Sequence, residues 1–193
     1  MSATEEGAET AADEVAHENA GEDVVAVDED DTPQGTVNRL EAHTGEGTRH
    51  RAFTCMLFDE RERILLAQRA SSKRLWDTHW DGTVASHPTA GQSQEEATRQ
   101  RLAEELGLAP DQYRDLSVTD RFEYRRRYLD EGLEWEVCAV LQATITDPTF
   151  DRDSDEVGGL LWVDYRDLYE HPRYYRQLRF CPWFEIAMRR DLE

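Results

Sequence analysis

The sequence predicts one layered domain of the α/β or α+β class, in which strands and helices interleave. Three observations carry this. A chain of 193 residues, 38% of them hydrophobic, is long enough for one medium domain with a real core. Short runs rich in Val, Leu and Ile recur along it, with turn residues between them. One segment has both the start and the stop signals of a helix.

Taken in order, residues 1–35 read as a disordered, solubilising acidic tail, and 36–193 as the domain. The tail has twelve acids, no Lys or Arg and no aromatic residue, so it buries too little apolar area to offset its ordering entropy. Residues 52–58 and 63–70 read as strands joined by the turn Asp59-Glu60-Arg61-Glu62. A loop with Trp76, Trp80 and Pro88 leads to a helix over 94–106. Ser93 is its N-cap, Glu96 completes a capping box, and Gly107 suits the C′ position. Two longer strands, 117–128 and 133–145, are joined by Asp130-Glu131-Gly132. Residues 159–163 read as a further strand and 181–190 as a closing helix.

Charge narrows the function. A formal net charge of −20 excludes a nucleic-acid binder that works by phosphate neutralisation. Of the 22 cationic residues only Lys73 is a lysine. Many acids with almost no lysine resemble proteins of salt-saturated cytoplasm, where carboxylate surfaces stay hydrated and self-repulsion is screened. Cys55, Cys138 and Cys181 lack the short spacings of a disulfide framework or a thiolate zinc site. No apolar run approaches the ~18 residues of a membrane span. The acidic N-terminus is unlike a signal peptide, so a cytoplasmic protein is expected.

The chemistry concentrates in Glu134-Trp135-Glu136. Side chains two apart on a strand share a face, so both carboxylates would point at one spot. Like charges held together repel unless a cation lies between them. With His43, His50 and His87 they make a three-nitrogen, two-oxygen set suited to Mn²⁺, Mg²⁺ or Zn²⁺. Glu104-Glu105 ends the predicted helix against the preference of the macrodipole, which hints at a cation partner there.

Several tracts together resemble one family. They are Ala42-His43-Thr44, Arg49-His50-Arg51-Ala52-Phe53, Gln68-Arg69-Ala70-Ser71-Ser72-Lys73, Trp80-Asp81-Gly82-Thr83-Val84-Ala85-Ser86-His87-Pro88, Phe122-Glu123-Tyr124-Arg125, Glu134-Trp135-Glu136-Val137-Cys138 and Pro182-Trp183. In order and spacing, residues 35–190 are similar to type 1 isopentenyl-diphosphate isomerases, which are Nudix-fold enzymes. The resemblance implies a single-domain Nudix-like α/β/α sandwich with a mixed sheet. It also implies metal-dependent isomerisation of isopentenyl to dimethylallyl diphosphate by a monomer, with a prenyl diphosphate as small-molecule partner.

Carried over by position, His43, His50, His87, Glu134 and Glu136 match the family's metal ligands. Glu105 matches the carboxylate of a second, Mg²⁺ site, the first ion being Mn²⁺ or Zn²⁺. Arg39, Arg69, Lys73 and Arg101 match cations around the diphosphate, Tyr124 and Glu136 the catalytic pair on one face of the alkene, and Trp183 the aromatic that closes the pocket. Ala85 stands where the family has a cysteine, and Ala has no proton to give or take. Ser86, Thr83, a water or Cys181 are the candidates to replace the thiol, with water or Cys181 favoured. A prenyl-diphosphate binder without isomerase activity and a Nudix hydrolase are the alternatives. Hydrolysis is disfavoured because Gln92, Gln100 and Arg101 stand where the hydrolytic box needs acids and its Arg-Glu pair.

Overall fold

The computed structural model describes residues 22–191. Nine strands form one mixed sheet: β1 (Asp23–Val27), β2 (Pro33–Asn38), β3 (His50–Phe58), β4 (Arg63–Arg69), β5 (Trp80–Asp81), β6 (Val84–Ser86), β7 (Tyr113–Tyr128), β8 (Gly132–Ile145) and β9 (Val157–Asp164). The helices are α1 (Arg39–Ala42), α2 (Gln94–Leu106), α3 (Tyr165–Glu170) and α4 (Pro182–Asp191), with a 3₁₀ turn at Pro172–Tyr175.

Strand β3 is the hub. Along one edge it pairs in parallel with β8 over its whole length, from His50↔Glu136 to Phe58↔Thr144. Its other edge is shared in succession by β1 at Ala26↔His50, β6 at Phe53↔Ser86 to Cys55↔Val84, and β4 at Phe58↔Ile64. Three partners along one edge make the sheet branch and curl. The central strands, β3 and the Val137–Leu141 part of β8, are mainly apolar and buried, as expected where both faces are covered, whereas the outer β7 is charged and largely exposed. Phe53, Cys55 and Leu57 of β3, with Ala139 and Leu141 of β8, pack beneath Ala97, Leu102 and Leu106 of α2. The alternate residues Ala52, Met56, Cys138 and Val140 pack against Phe184 and Ala187 of α4. The predicted α/β/α sandwich is what forms. Each fully buried Leu adds on the order of 2 kcal/mol of apolar stabilisation.

Helix α2 has the predicted bounds. The Ser93 hydroxyl accepts from the Glu96 N–H at 3.1 Å, and the Glu96 carboxylate accepts from the Ser93 N–H at 2.9 Å. Gly107 takes φ 67°, and a Cβ there would meet Asp151 at 2.9 Å.

The predicted start of the folded part is corrected. Residues 22–35, assigned to the tail, hold β1 and the first residues of β2. Val24, Val25 and Val27 are buried, and Val25 and Val27 pack on Val137 of β8. The acids around this short valine run hid it. The rest of the predicted tail, residues 1–21, lies outside the described residues. The first long strand also begins earlier than predicted, at Tyr113, because irregular register between Arg114 and Ser117 breaks its alternation.

Candidate active site and metal centre

Short-range chemistry delivers each ligand-type side chain. The Asn38 side chain caps the single turn of α1 by accepting from the Leu40 N–H at 2.9 Å, and His43 follows that turn. Gly47, at φ 70°, lets the chain double back, since a Cβ there would strike Leu133 at 2.6 Å. The next strand then opens on His50. Parallel pairing sets His50 opposite Glu136, and antiparallel pairing sets Tyr124 opposite Glu136 on its other side. Glu134 shares the face of Glu136. His87 follows β6 directly.

The structure brings all five predicted ligands together. One donor atom from each of His43, His50, His87, Glu134 and Glu136 lies within 4.8 Å of all the others. His43 Nε2 is 2.9 Å from Glu134 Oε2 and 3.9 Å from Glu136 Oε1. Glu136 Oε1 is also 3.5 Å from His50 Nε2 and 3.0 Å from His87 Nε2. His43 Nδ1 lies 2.6 Å from the Arg39 carbonyl and His50 Nδ1 2.7 Å from the Thr48 carbonyl. Donating Nδ1–H to those carbonyls leaves both Nε2 lone pairs aimed at the carboxylates, the arrangement that orients metal-ligating histidines.

That donor set fits a cation. His50 Nε2 is buried without a hydrogen-bond partner, its nearest carboxylate oxygen 3.5 Å away, which is costly unless an ion satisfies it. Burial pushes His87 well below its ordinary value, keeping it neutral and able to ligate. Burial also opposes a charge on His43, but Glu134 and Glu136 outweigh it and raise His43 to about 10. Without an ion a proton on His43 balances the carboxylates; a divalent cation would do so better. Glu136 is held well below the carboxylate range: burial opposes its charge, and contacts with the three histidines prevail.

Tyr124 completes one wall. Its hydroxyl donates to Glu136 Oε2 at 2.7 Å, and burial together with Glu136 keeps its proton in place. The Trp183 ring stands 6.1 Å from the Tyr124 ring. Its Nε1–H donates to both Asp81 oxygens, at 2.9 and 2.7 Å. Backbone bonds from Trp80 N–H to the Arg179 carbonyl and from Cys181 N–H to the Trp80 carbonyl, 2.7 and 2.8 Å, dock the start of α4 on β5 and aim the indole. A cavity lies between these groups, walled by Arg69, Ala85, His87, Tyr124, Glu136 and Trp183.

A cleft of mixed charge adjoins it, sharing Arg39, Arg69, Lys73 and Ala85 and adding Arg101 among the acids Glu22, Asp81, Glu105, Asp155 and Glu156. All four predicted diphosphate cations therefore line one surface. Glu105 is buried outside the five-residue cluster. Burial, then Glu156, raises its carboxyl to about 7, with Arg101, Lys73 and Arg69 opposing, so a cation would be needed to keep it firmly charged. Lys73 pairs with Glu156, and Glu22 reaches Arg39 at 2.8 Å and Arg101 at 3.4 Å. Asp81, Glu22 and Glu156 were not foreseen from sequence. Each is a single acid in a loop or near a strand end, where an isolated carboxylate reads as surface.

Two proposed replacements for the thiol are corrected. Cys181 is fully buried in the core around α4 and does not line the cavity; burial first, then Asp81, raises its thiol well above its ordinary value. The Thr83 hydroxyl is already committed, donating to the Leu65 carbonyl at 2.8 Å and accepting from the Leu57 N–H at 2.9 Å.

The NUDIX domain model matches residues 48–184. A Halobacterium salinarum isopentenyl-diphosphate Delta-isomerase is 76% identical over 91% of this chain and 83% of its own length. The chain belongs to the isopentenyl-diphosphate Delta-isomerase branch of the Nudix family. Another relative in this branch, the isopentenyl-diphosphate Delta-isomerase of Haloarcula marismortui, is 69% identical over 92% of this chain and 95% of its own. Isopentenyl-diphosphate Delta-isomerase 1 of Photorhabdus laumondii is 33% identical over 85% and 91%. A similar fold occurs in a Deinococcus radiodurans crystal structure (TM-score 0.69, 20% identity, 88% of this chain and 98% of that one). No helix among the described residues is long and apolar enough to cross a membrane.

Proposed function

We propose that the protein interconverts isopentenyl and dimethylallyl diphosphate. The observation that carries this reading is the Tyr124–Glu136 pair, backed by the His/Glu cluster and facing a cavity under the Trp183 indole. The reaction adds a proton to the terminal alkene carbon, leaves a tertiary cation, and removes a proton from the carbon next to it. Such a cation is quenched by water, so the site needs a dry pocket, an aromatic face and a proton carrier.

The Tyr124 hydroxyl, aimed by the Glu136 carboxylate that accepts from it, gives its proton to the terminal alkene carbon, and as the phenolate takes back the proton lost from the neighbouring carbon, so the pair ends as it began. Trp183 offers the face, while Arg39, Arg69 and Lys73, shared by cavity and cleft, and Arg101 in the cleft hold the diphosphate. His43, His50, His87, Glu134 and Glu136 would hold a Mn²⁺ or Zn²⁺ ion and Glu105 a Mg²⁺ ion. These would supply positive charge beside the catalytic carboxylate and the diphosphate. The acidic, lysine-poor composition supports a monomer at work in a salt-rich cytoplasm, with residues 1–21 as a solubilising extension.

Hydrolysis fits the geometry less well. Where the hydrolytic box clusters acids, Gln92 donates to Gln100 at 2.9 Å and Gln100 to Glu104 at 2.8 Å, a chain of neutral amides beside Arg101. Isopentenyl diphosphate incubated in D₂O with multimolar KCl, Mg²⁺ and Mn²⁺, followed by ¹H and ³¹P NMR, tests the proposal. Deuterated dimethylallyl diphosphate is expected. Release of inorganic phosphate, or unchanged substrate, would overturn it.

A further inference from the structure

We propose that Asp81 is a positioning residue for the cation-forming step, anchored at the N–H edge of Trp183 as the negative charge that lets the indole face accept a tertiary carbocation. This rests on the isomerase reading. The carboxylate accepts the Trp183 Nε1–H with both oxygens and the Gly82 N–H at 2.7 Å, so it fixes the plane of the ring as well as its electrostatics. Asp81 is 4% exposed. An anion at the positive N–H edge of an indole pushes electron density towards the face, strengthening its attraction for a cation.

A cation already held at the ring shows why such a charge is needed. The Arg69 guanidinium lies 5.6 Å from the Trp183 centroid, and Arg69 also lines the diphosphate cleft. A guanidinium against the indole opposes a second positive charge forming at the same ring, and charges a few ångströms apart in a dry site interact strongly. Asp81 offsets that guanidinium. Burial raises the Asp81 carboxyl to about 6, with Arg69 and the Trp183 hydrogen bond opposing, so it is ionised at neutral pH. Tyr124, the proton carrier, thus lies 6.1 Å from the indole ring, and the counter-charge of Asp81 lies at that ring's N–H edge.

The test separates charge from shape without needing turnover. Two saturated five-carbon diphosphates are titrated calorimetrically into the full chain in KCl and Mg²⁺, one with a tertiary ammonium in place of the cationic carbon, the other its neutral hydrocarbon counterpart. Wild type is expected to prefer the ammonium compound, as sites built for a transition state prefer its mimics. Asp81→Asn should lose about tenfold of that preference while binding the neutral compound as before. Trp183→Phe, which keeps a ring and removes the N–H aimed at Asp81, should lose a similar preference, and this second variant decides the matter if Asp81→Asn does not fold. An unchanged preference in the variants, or equal loss of both ligands, would overturn the proposal. Failure of the isomerase reading shows separately, as wild type that makes no dimethylallyl diphosphate.

Discussion

His50 and Glu136 face each other across the parallel β3–β8 pair, with the imidazole Nε2 3.5 Å from the carboxylate Oε1. The same carboxyl reaches across the antiparallel pair on its other side, where Oε2 accepts from Tyr124. One side chain thus belongs to the cation cluster through one oxygen and to the proton carrier through the other.

Replacing either half of that carrier therefore stops chemistry rather than binding. Glu136→Gln is expected to abolish turnover. Tyr124→Phe should lower kcat by about 10²- to 10⁴-fold, the range of general acid catalysis, with KM little changed. Steady-state rates by NMR check both, and a retained rate in Glu136→Gln sinks the assignment.

Removing one ligand loosens the ion. His87→Ala should weaken metal binding by about tenfold or more and lower the metal retained after dialysis. Elemental analysis of the dialysed protein checks this; unchanged stoichiometry would take His87 out of the cluster.

Asp81 also predicts a pH dependence of stability. Its folded carboxyl is raised from an ordinary value of 3.8 to about 6, so the folded protein holds that proton more tightly than the unfolded chain. Its stabilising contribution is fully present below the unfolded value and is lost as pH rises through the folded one. The loss is on the order of 3 kcal/mol between about pH 4 and 7. Asp81→Asn cannot titrate, so its stability relative to wild type should rise over that window. Urea unfolding in constant KCl measures it, and a flat difference would refute the buried titration.

The groups excluded as thiol replacements give an opposite pattern. Thr83→Val should cost about 1–3 kcal/mol, because the Leu57 N–H and Leu65 carbonyl lose their partner, yet leave kcat unchanged. Cys181→Ser should likewise keep its turnover. A collapse of kcat with normal folding in either variant would return that group to the chemistry.

Much of this was legible in the sequence where a local rule is strong. The capping box at Ser93 and Glu96 and the glycine at 107 bound α2 correctly, and period-two spacing put Glu134 and Glu136 on one face. What escaped was set by tertiary pairing. Strand β1 has only a short valine run among acids, and it forms because Val25 and Val27 find Val137. Strands β5 and β6, of two and three residues, are too short for any periodicity and exist through pairing with β4 and β3. Asp81 gains its importance from Trp183, a hundred residues away, which no local pattern announces.

The sole lysine, Lys73, lies in the cleft beside the cavity, half-buried and paired with Glu156. For amine-directed acylating reagents the chain therefore offers a single side-chain target, set at the proposed diphosphate site. One mass increment on one tryptic peptide would report whether that site is open or filled, and a bound diphosphate should shield it without any engineered label.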